Sequence, residues 1–185
     1  MKRISSALLT LAILCMQSPS SARELREYTL KKKIDTSDLI FVGNVLAIER
    51  PKQETEGVQE FAVVRVTESI KGAEQGKELR FVVKGSIGED SPDCCLVGSD
   101  YLFFSKDGVQ ILTLEGSSIG GKIDLQGKYV SPSNGKFSTY PIVSGLVRDW
   151  PGKDLGPAEP LASVRKEICE ALRESKGTEV SKPLP

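Results

Sequence analysis

Leu39-Ile40-Phe41-Val42-Gly43-Asn44-Val45 opens the most strand-like part of the chain, and two later blocks share its character. They are Val63-Val64-Arg65-Val66-Thr67-Glu68-Ser69-Ile70-Lys71-Gly72 and Cys94-Cys95-Leu96-Val97-Gly98-Ser99-Asp100-Tyr101-Leu102-Phe103-Phe104. All are rich in β-branched or aromatic residues and bounded by Gly, Pro or charge, so each reads as a strand of an antiparallel sheet. The first strand is expected over 39–49, ending before Pro51, and the second over 60–69, where Ala62, Val64 and Val66 make one wholly apolar face. Polar residues 52–59 suit a hairpin tip between them, and Lys71-Gly72 turns the chain toward a third strand at 79–83. Tyr101 to Phe104 and 109–114 flank Lys106-Asp107-Gly108, a turn pattern in which Gly supplies a positive φ. Within the looser, Gly-, Ser- and Pro-rich 115–157, short strands are expected at 128–130 and 137–143.

Helical patterning is confined to the two ends. Leu25, Tyr28 and Leu30 form a partial stripe over 23–33, broken by Ile34-Asp35-Thr36-Ser37-Asp38. Leu161, Val164, Ile168 and Leu172 recur at helical spacing and predict an amphipathic helix over 161–174, with Cys169 beside its inward stripe. Residues 177–185 read as a frayed tail. About five sequential strands with tight turns and flanking helices give a mainly β fold, a small closed barrel that leaves no exposed edge.

The first residues read as an export signal. Met1-Lys2-Arg3 is basic, Ala7 to Met16 is a short apolar run, and Ser20-Ser21-Ala22 supplies the small residues a signal peptidase cuts after. Cleavage between Ala22 and Arg23 leaves a single domain over 23–176, with a charge of 23 minus 25, or −2. Cys15 follows Leu14 rather than a small residue, which disfavours lipid attachment. The run from Ala7 to Met16 stops well short of the ~20 apolar residues a membrane helix needs, and no later run is long and apolar enough either. The product is therefore expected in the periplasm or outside the cell, without a membrane span. No basic field recruits nucleic acid. Lys31-Lys32-Lys33 lies among Glu24, Glu27 and Asp35 and reads as a solvated helix face.

Export makes pairing of the mature cysteines Cys94, Cys95 and Cys169 the natural expectation. Bridged neighbours close a strained ring, so the expected bridge joins Cys169 to Cys95 or Cys94. The third thiol is then buried, free or bonded to another chain. Such a bridge closes a loop of about 75 residues, worth roughly 4 kcal/mol on the chain-entropy model. Zinc would need a fourth ligand, and the chain has 0 histidines.

Catalytic patterns are incomplete. Gly116-Ser117-Ser118-Ile119-Gly120 matches a nucleophile elbow, but without histidine Ser118 has no base of the usual kind. Ser163-Val164-Arg165-Lys166 resembles a Ser-Lys pair without its companion motifs. Glu89, Asp90 and Asp93 share a loop of suitable oxygen ligands for calcium, yet lack EF-hand spacing. Trp150 and Tyr140 either form a sticky surface or fill a gap between barrel and helix.

Ser37-Asp38-Leu39-Ile40-Phe41-Val42-Gly43-Asn44-Val45, Val66 to Gly72 and Val97 to Phe104 resemble the bacterial relatives of the netrin-like, or tissue inhibitor of metalloproteinases (TIMP-like), superfamily. The resemblance implies an OB-fold-like closed five-stranded antiparallel barrel, helices packed on it, and disulfides tying its ends. Animal inhibitors of that family chelate the catalytic zinc of a protease through an N-terminal cysteine. Here the expected first residue is Arg23, so that device is missing. Bacterial relatives often carry a cysteine just ahead of the last helix, where this chain has Asp149-Trp150-Pro151. Taken together, the expectation is a non-catalytic, cofactor-free binding protein with a protein partner, a secreted peptidase being one candidate. The alternatives are a carbohydrate- or peptide-binding barrel and a serine hydrolase acting through Ser118 or Ser163.

Overall fold

The computed structural model describes residues 27–51, 58–85, 92, 94–108, 129–150 and 158–179. The segment expected to be an export signal, with Ala22 and Arg23, the strand expected at 109–114, Ser118, Glu89, Asp90 and Asp93 lie outside them. The described residues form eight strands and two α-helices: α1 Leu30–Thr36, β1 Leu39–Glu49, β2 Glu60–Lys71, β3 Glu78–Lys84, β4 Asp100–Asp107, β5 Val130–Pro132, β6 Thr139–Val143, β7 Leu146–Val147, β8 Glu159–Pro160 and α2 Leu161–Glu179. A 3₁₀ turn, Gly135–Ser138, separates β5 from β6.

Five strands close the predicted barrel in the order β1-β2-β3-β5-β4 and back to β1. Four pairings are antiparallel, and the seam, Phe81 of β3 opposite Val130 of β5, is parallel. β4 is long enough to pair with β1 on one side and with both β5 and β6 on the other. The β6-β7-β8 ribbon then carries the sheet away from the barrel to the start of α2.

β1 and β4 bury both faces, which is why their sequences run apolar without alternation. Phe41 and Val45 of β1 and Tyr101 and Phe103 of β4 point into the barrel, where Ala62, Val64, Val66 and Phe81 meet them. Phe103 is its centre, stacked on Phe41 with ring centroids 4.9 Å apart and met edge-on by Phe81 at 4.9 Å. Ile40, Val42, Leu102 and Phe104 face the other way, into a second core roofed by Ile34 of α1 and Val164 and Ile168 of α2. Each such burial stabilises by roughly 1.5–3 kcal/mol. Trp150 fills the gap between sheet and helix, 5.1 Å from the Tyr140 ring, with its indole N–H donating to Glu167 Oε2 at 3.1 Å.

Gly43 of β1 has no room for a side chain: a Cβ there would lie 2.5 Å from Val64 Cγ1 of β2. Gly72 sits at φ +67°, and a Cβ on it would lie 2.4 Å from the Asp38 carbonyl oxygen.

Four expectations need correction. α1 begins and ends later than the stripe over 23–33 predicts, because Thr29 caps it by accepting from Lys32 N–H and Ile34 belongs to the second core. Lys106 and Asp107 form no turn: β4 continues through them, paired with Ser131 and Val130. The third apolar block is strand only from Asp100 onward, residues 94–99 forming a connection that ends in a turn. α2 runs on to Glu179, so residues 177–179 are helical rather than part of a tail.

Candidate binding rim

One end of the barrel is formed by the last half of β1 and the start of β4, and the turn between β6 and β7 lies beside it, outside the barrel. The connection entering β4 is fastened there by a dense set of hydrogen bonds. Gly98 N–H donates to Val45 C=O at 2.7 Å, and Val45 N–H donates to Ser99 C=O at 3.0 Å. Asn44 Nδ2 donates to Gly98 C=O at 3.2 Å and to Asp100 Oδ1 at 2.8 Å. Leu96 N–H donates to the Tyr101 hydroxyl at 3.0 Å. Gly98, at φ +84°, allows the reversal with nothing within 4 Å of where a Cβ would stand.

This bracing holds two adjacent apolar side chains in water, Leu96 at 72% exposure and Val97 at 61%. Val143 and Leu146, flanking the β6-β7 turn, are also exposed, and Ile142 beside them pairs with Asp100, which places that turn at the same end. Burying either side chain against a partner would gain roughly 1.5–3 kcal/mol.

Cys94 and Cys95 enter this turn, and here the structure corrects the expected bridge. The two adjacent cysteines are bonded to each other, and Cys169 is a free thiol. The reason is positional. Cys95, with Cys94 packed beside it, belongs to the barrel interior, whereas Cys169 sits on the helix that roofs the opposite face of β1 and β4.

The lysine run divides in a way its sequence context does not reveal. Lys31 is exposed and paired with Asp35 at 3.3 Å, and Lys32 lies over the Tyr28 ring. Lys33 is instead 0% exposed. Its ammonium donates to Glu27 Oε1 at 2.6 Å, to Phe137 C=O at 2.9 Å and to the Tyr140 hydroxyl, and lies 4.6 Å from the Tyr140 ring centroid. Burial pushes its pKa below the usual lysine value, and the hydrogen bond and charge of Glu27 oppose that shift. A missed signal existed: positions 30, 33 and 34 share one helical face, and Leu30 and Ile34 are apolar. With its donors engaged and no exposure, Lys33 ties the segment before α1 to the sheet rather than serving a ligand. Tyr28 N–H, donating to Asn134 Oδ1 at 2.8 Å, makes a second tie.

Ser163 and Lys166 lie in the first turns of α2 on its wet face, and the Lys166 ammonium is 3.9 Å from Glu170. A cleft of about 230 Å³ lies by the β2-β3 turn, lined by Leu39, Ala73, Leu79 and Val130 with Lys77, Glu78 and Asp107 among the charged groups. Tyr129 is the aromatic residue in its lining. Among the described residues no three His, Cys, Asp or Glu side chains gather as metal ligands, and no helix is long and apolar enough to cross a membrane. No family model matches the chain, and no curated protein is similar to it.

Proposed function

We propose that this chain is an exported, non-catalytic binding protein that docks a protein partner through the apolar rim at Leu96 and Val97. The observation carrying the reading is that rim: adjacent apolar side chains, displayed by a turn too well hydrogen-bonded to fold them away. Preorganised apolar anchors bind with little ordering cost. The TIMP-like resemblance supports a peptidase as partner, with the rim entering its cleft. Export, and a periplasmic or extracellular location, belong to the same proposal and rest on the Met1 to Ala22 pattern.

The cleft by the β2-β3 turn supports a second reading, an oligosaccharide- or peptide-binding barrel. Its mixed charges and one aromatic make it a poor sugar platform, so the protein partner ranks first. The test is retention of proteins from native envelope and medium on the immobilised mature chain, beside a Leu96→Asp/Val97→Asp chain, with identification by mass spectrometry. A partner held by the first and lost by the second supports docking through the rim. Identical retention by both would reject it, and a peptidase panel of unchanged turnover would reject inhibition.

A further inference from the structure

We propose that the Cys94–Cys95 bond is a reducible clasp that sets the conformation of the rim turn, so that a dithiol switches the presentation of Leu96 and Val97. Its functional consequence rests on the rim being the docking surface. The clasp itself stands on separate observations.

The bond joins residues at a sequence separation of 1. It closes no loop of chain, so the entropic stabilisation that grows with loop length is nearly absent. The barrel is held by its own ladders and aromatic interior, and losing this bond leaves those contacts in place. What the bond does govern is local: it fixes the two residues immediately before Leu96. Cys94 is half-buried against the barrel core and is the less buried of the two, while Cys95 packs into the barrel.

Reduction proceeds by attack of one thiolate of the dithiol on Cys94 Sγ. The S–S bond breaks, a mixed disulfide forms, and Cys95 leaves as thiolate and takes up a proton. The second thiol of the reductant then displaces Cys94, which is protonated in turn, and the reductant departs as its own disulfide. Two electrons and two protons pass to the protein. The freed backbone at 94–95 loosens the entry to the turn, and Leu96 and Val97 lose the fixed presentation that preorganises them.

The test uses the mature chain carrying Cys169→Ser, methyl-labelled at Leu and Val and treated with dithiothreitol. Mass tagging should find two new thiols per chain. The Leu96 and Val97 methyl signals should move, those of Val64 and Leu102 should stay, and reoxidation should restore the starting spectrum. Cys94→Ser/Cys95→Ser should show the reduced spectrum without dithiol. Partner retention should fall about tenfold on reduction, the order of cost expected when one or two interface side chains must be reordered. A pair that stays oxidised in the folded chain, or is reduced without moving Leu96 and Val97, would overturn the clasp. So would reduction that also moves the core methyls. Methyl shifts without any retained partner would uphold the clasp and reject the docking surface.

Discussion

Removing either partner of the Lys33–Glu27 pair should have unequal consequences, because the two groups are buried to different degrees. The side chain of Lys33 is 0% exposed and that of Glu27 is 29% exposed. Glu27→Ala leaves an ammonium with only Phe137 C=O and the Tyr140 hydroxyl as its protein partners. Breaking a buried pair in that way costs about 3–5 kcal/mol. Lys33→Met removes the buried charge itself and keeps most of the stem's packing. Glu27, already partly exposed, keeps the Tyr140 hydroxyl as a donor, 2.6 Å away in the wild-type structure. Its cost should be about 0–1.5 kcal/mol, the worth of the lost hydrogen bonds less the relieved desolvation. For a domain of this size the Glu27→Ala loss corresponds to a fall in Tm of about 6–20 °C.

The pH dependence has a definite sign. Lys33 titrates below its ordinary value in the folded chain, so between its folded and unfolded pKa values the unfolded state binds more protons. Stability from this group therefore rises with pH through that window and levels off above the unfolded value, about 10.4. Glu27→Ala removes both influences that hold the Lys33 pKa up, widening the window downward. The deficit of this variant should then shrink as the solution is made alkaline. Urea unfolding followed by circular dichroism at several pH values checks both statements. A Lys33→Met chain less stable than Glu27→Ala, or a Glu27→Ala deficit that grows with pH, would refute the reasoning.

Other substitutions probe the barrel and the rim. Gly72→Ala forces a side chain into the left-handed region and against the Asp38 carbonyl, and should cost about 2 kcal/mol or more in the same unfolding assay. Phe103→Ala empties the centre of the barrel's aromatic cluster and should cost about 3–5 kcal/mol. Trp150→Phe loses the hydrogen bond to Glu167 and part of the gap filling; calorimetry should show a loss of about 1–2 kcal/mol. Leu96→Asp/Val97→Asp touches only solvent-facing side chains, so its unfolding midpoint should match the wild type within about 0.5 kcal/mol per site.

Much of the barrel was readable from residue type and order. β1 appears over the predicted 39–49, and Ala62, Val64 and Val66 do form the inward face of β2. Local pattern sufficed because both faces of β1 and β4 meet apolar neighbours and one face of β2 does. What local pattern misses is partnership across the chain. Lys106-Asp107-Gly108 has good turn chemistry, yet distant β5 supplies pairing that keeps β4 extended. Lys33 is charged and sits among acids, but its burial depends on Phe137 and Tyr140, more than a hundred residues away. The rim was hidden for the opposite reason: Leu96 and Val97 look like core residues, and the hydrogen bonds of the turn help to hold them outward. The cysteine pairing was likewise decided by which side of the sheet each thiol occupies, a property that counting thiols does not reach.

Site-specific photocrosslinking tests most directly that the rim is the docking end. A benzophenone side chain is placed at position 96 in one chain and at position 28, where the backbone is tied to Asn134, in another, and each is irradiated in the native envelope. The account predicts a discrete protein adduct from position 96 and none from position 28. Adducts confined to position 28, or the same adducts from both, would contradict it.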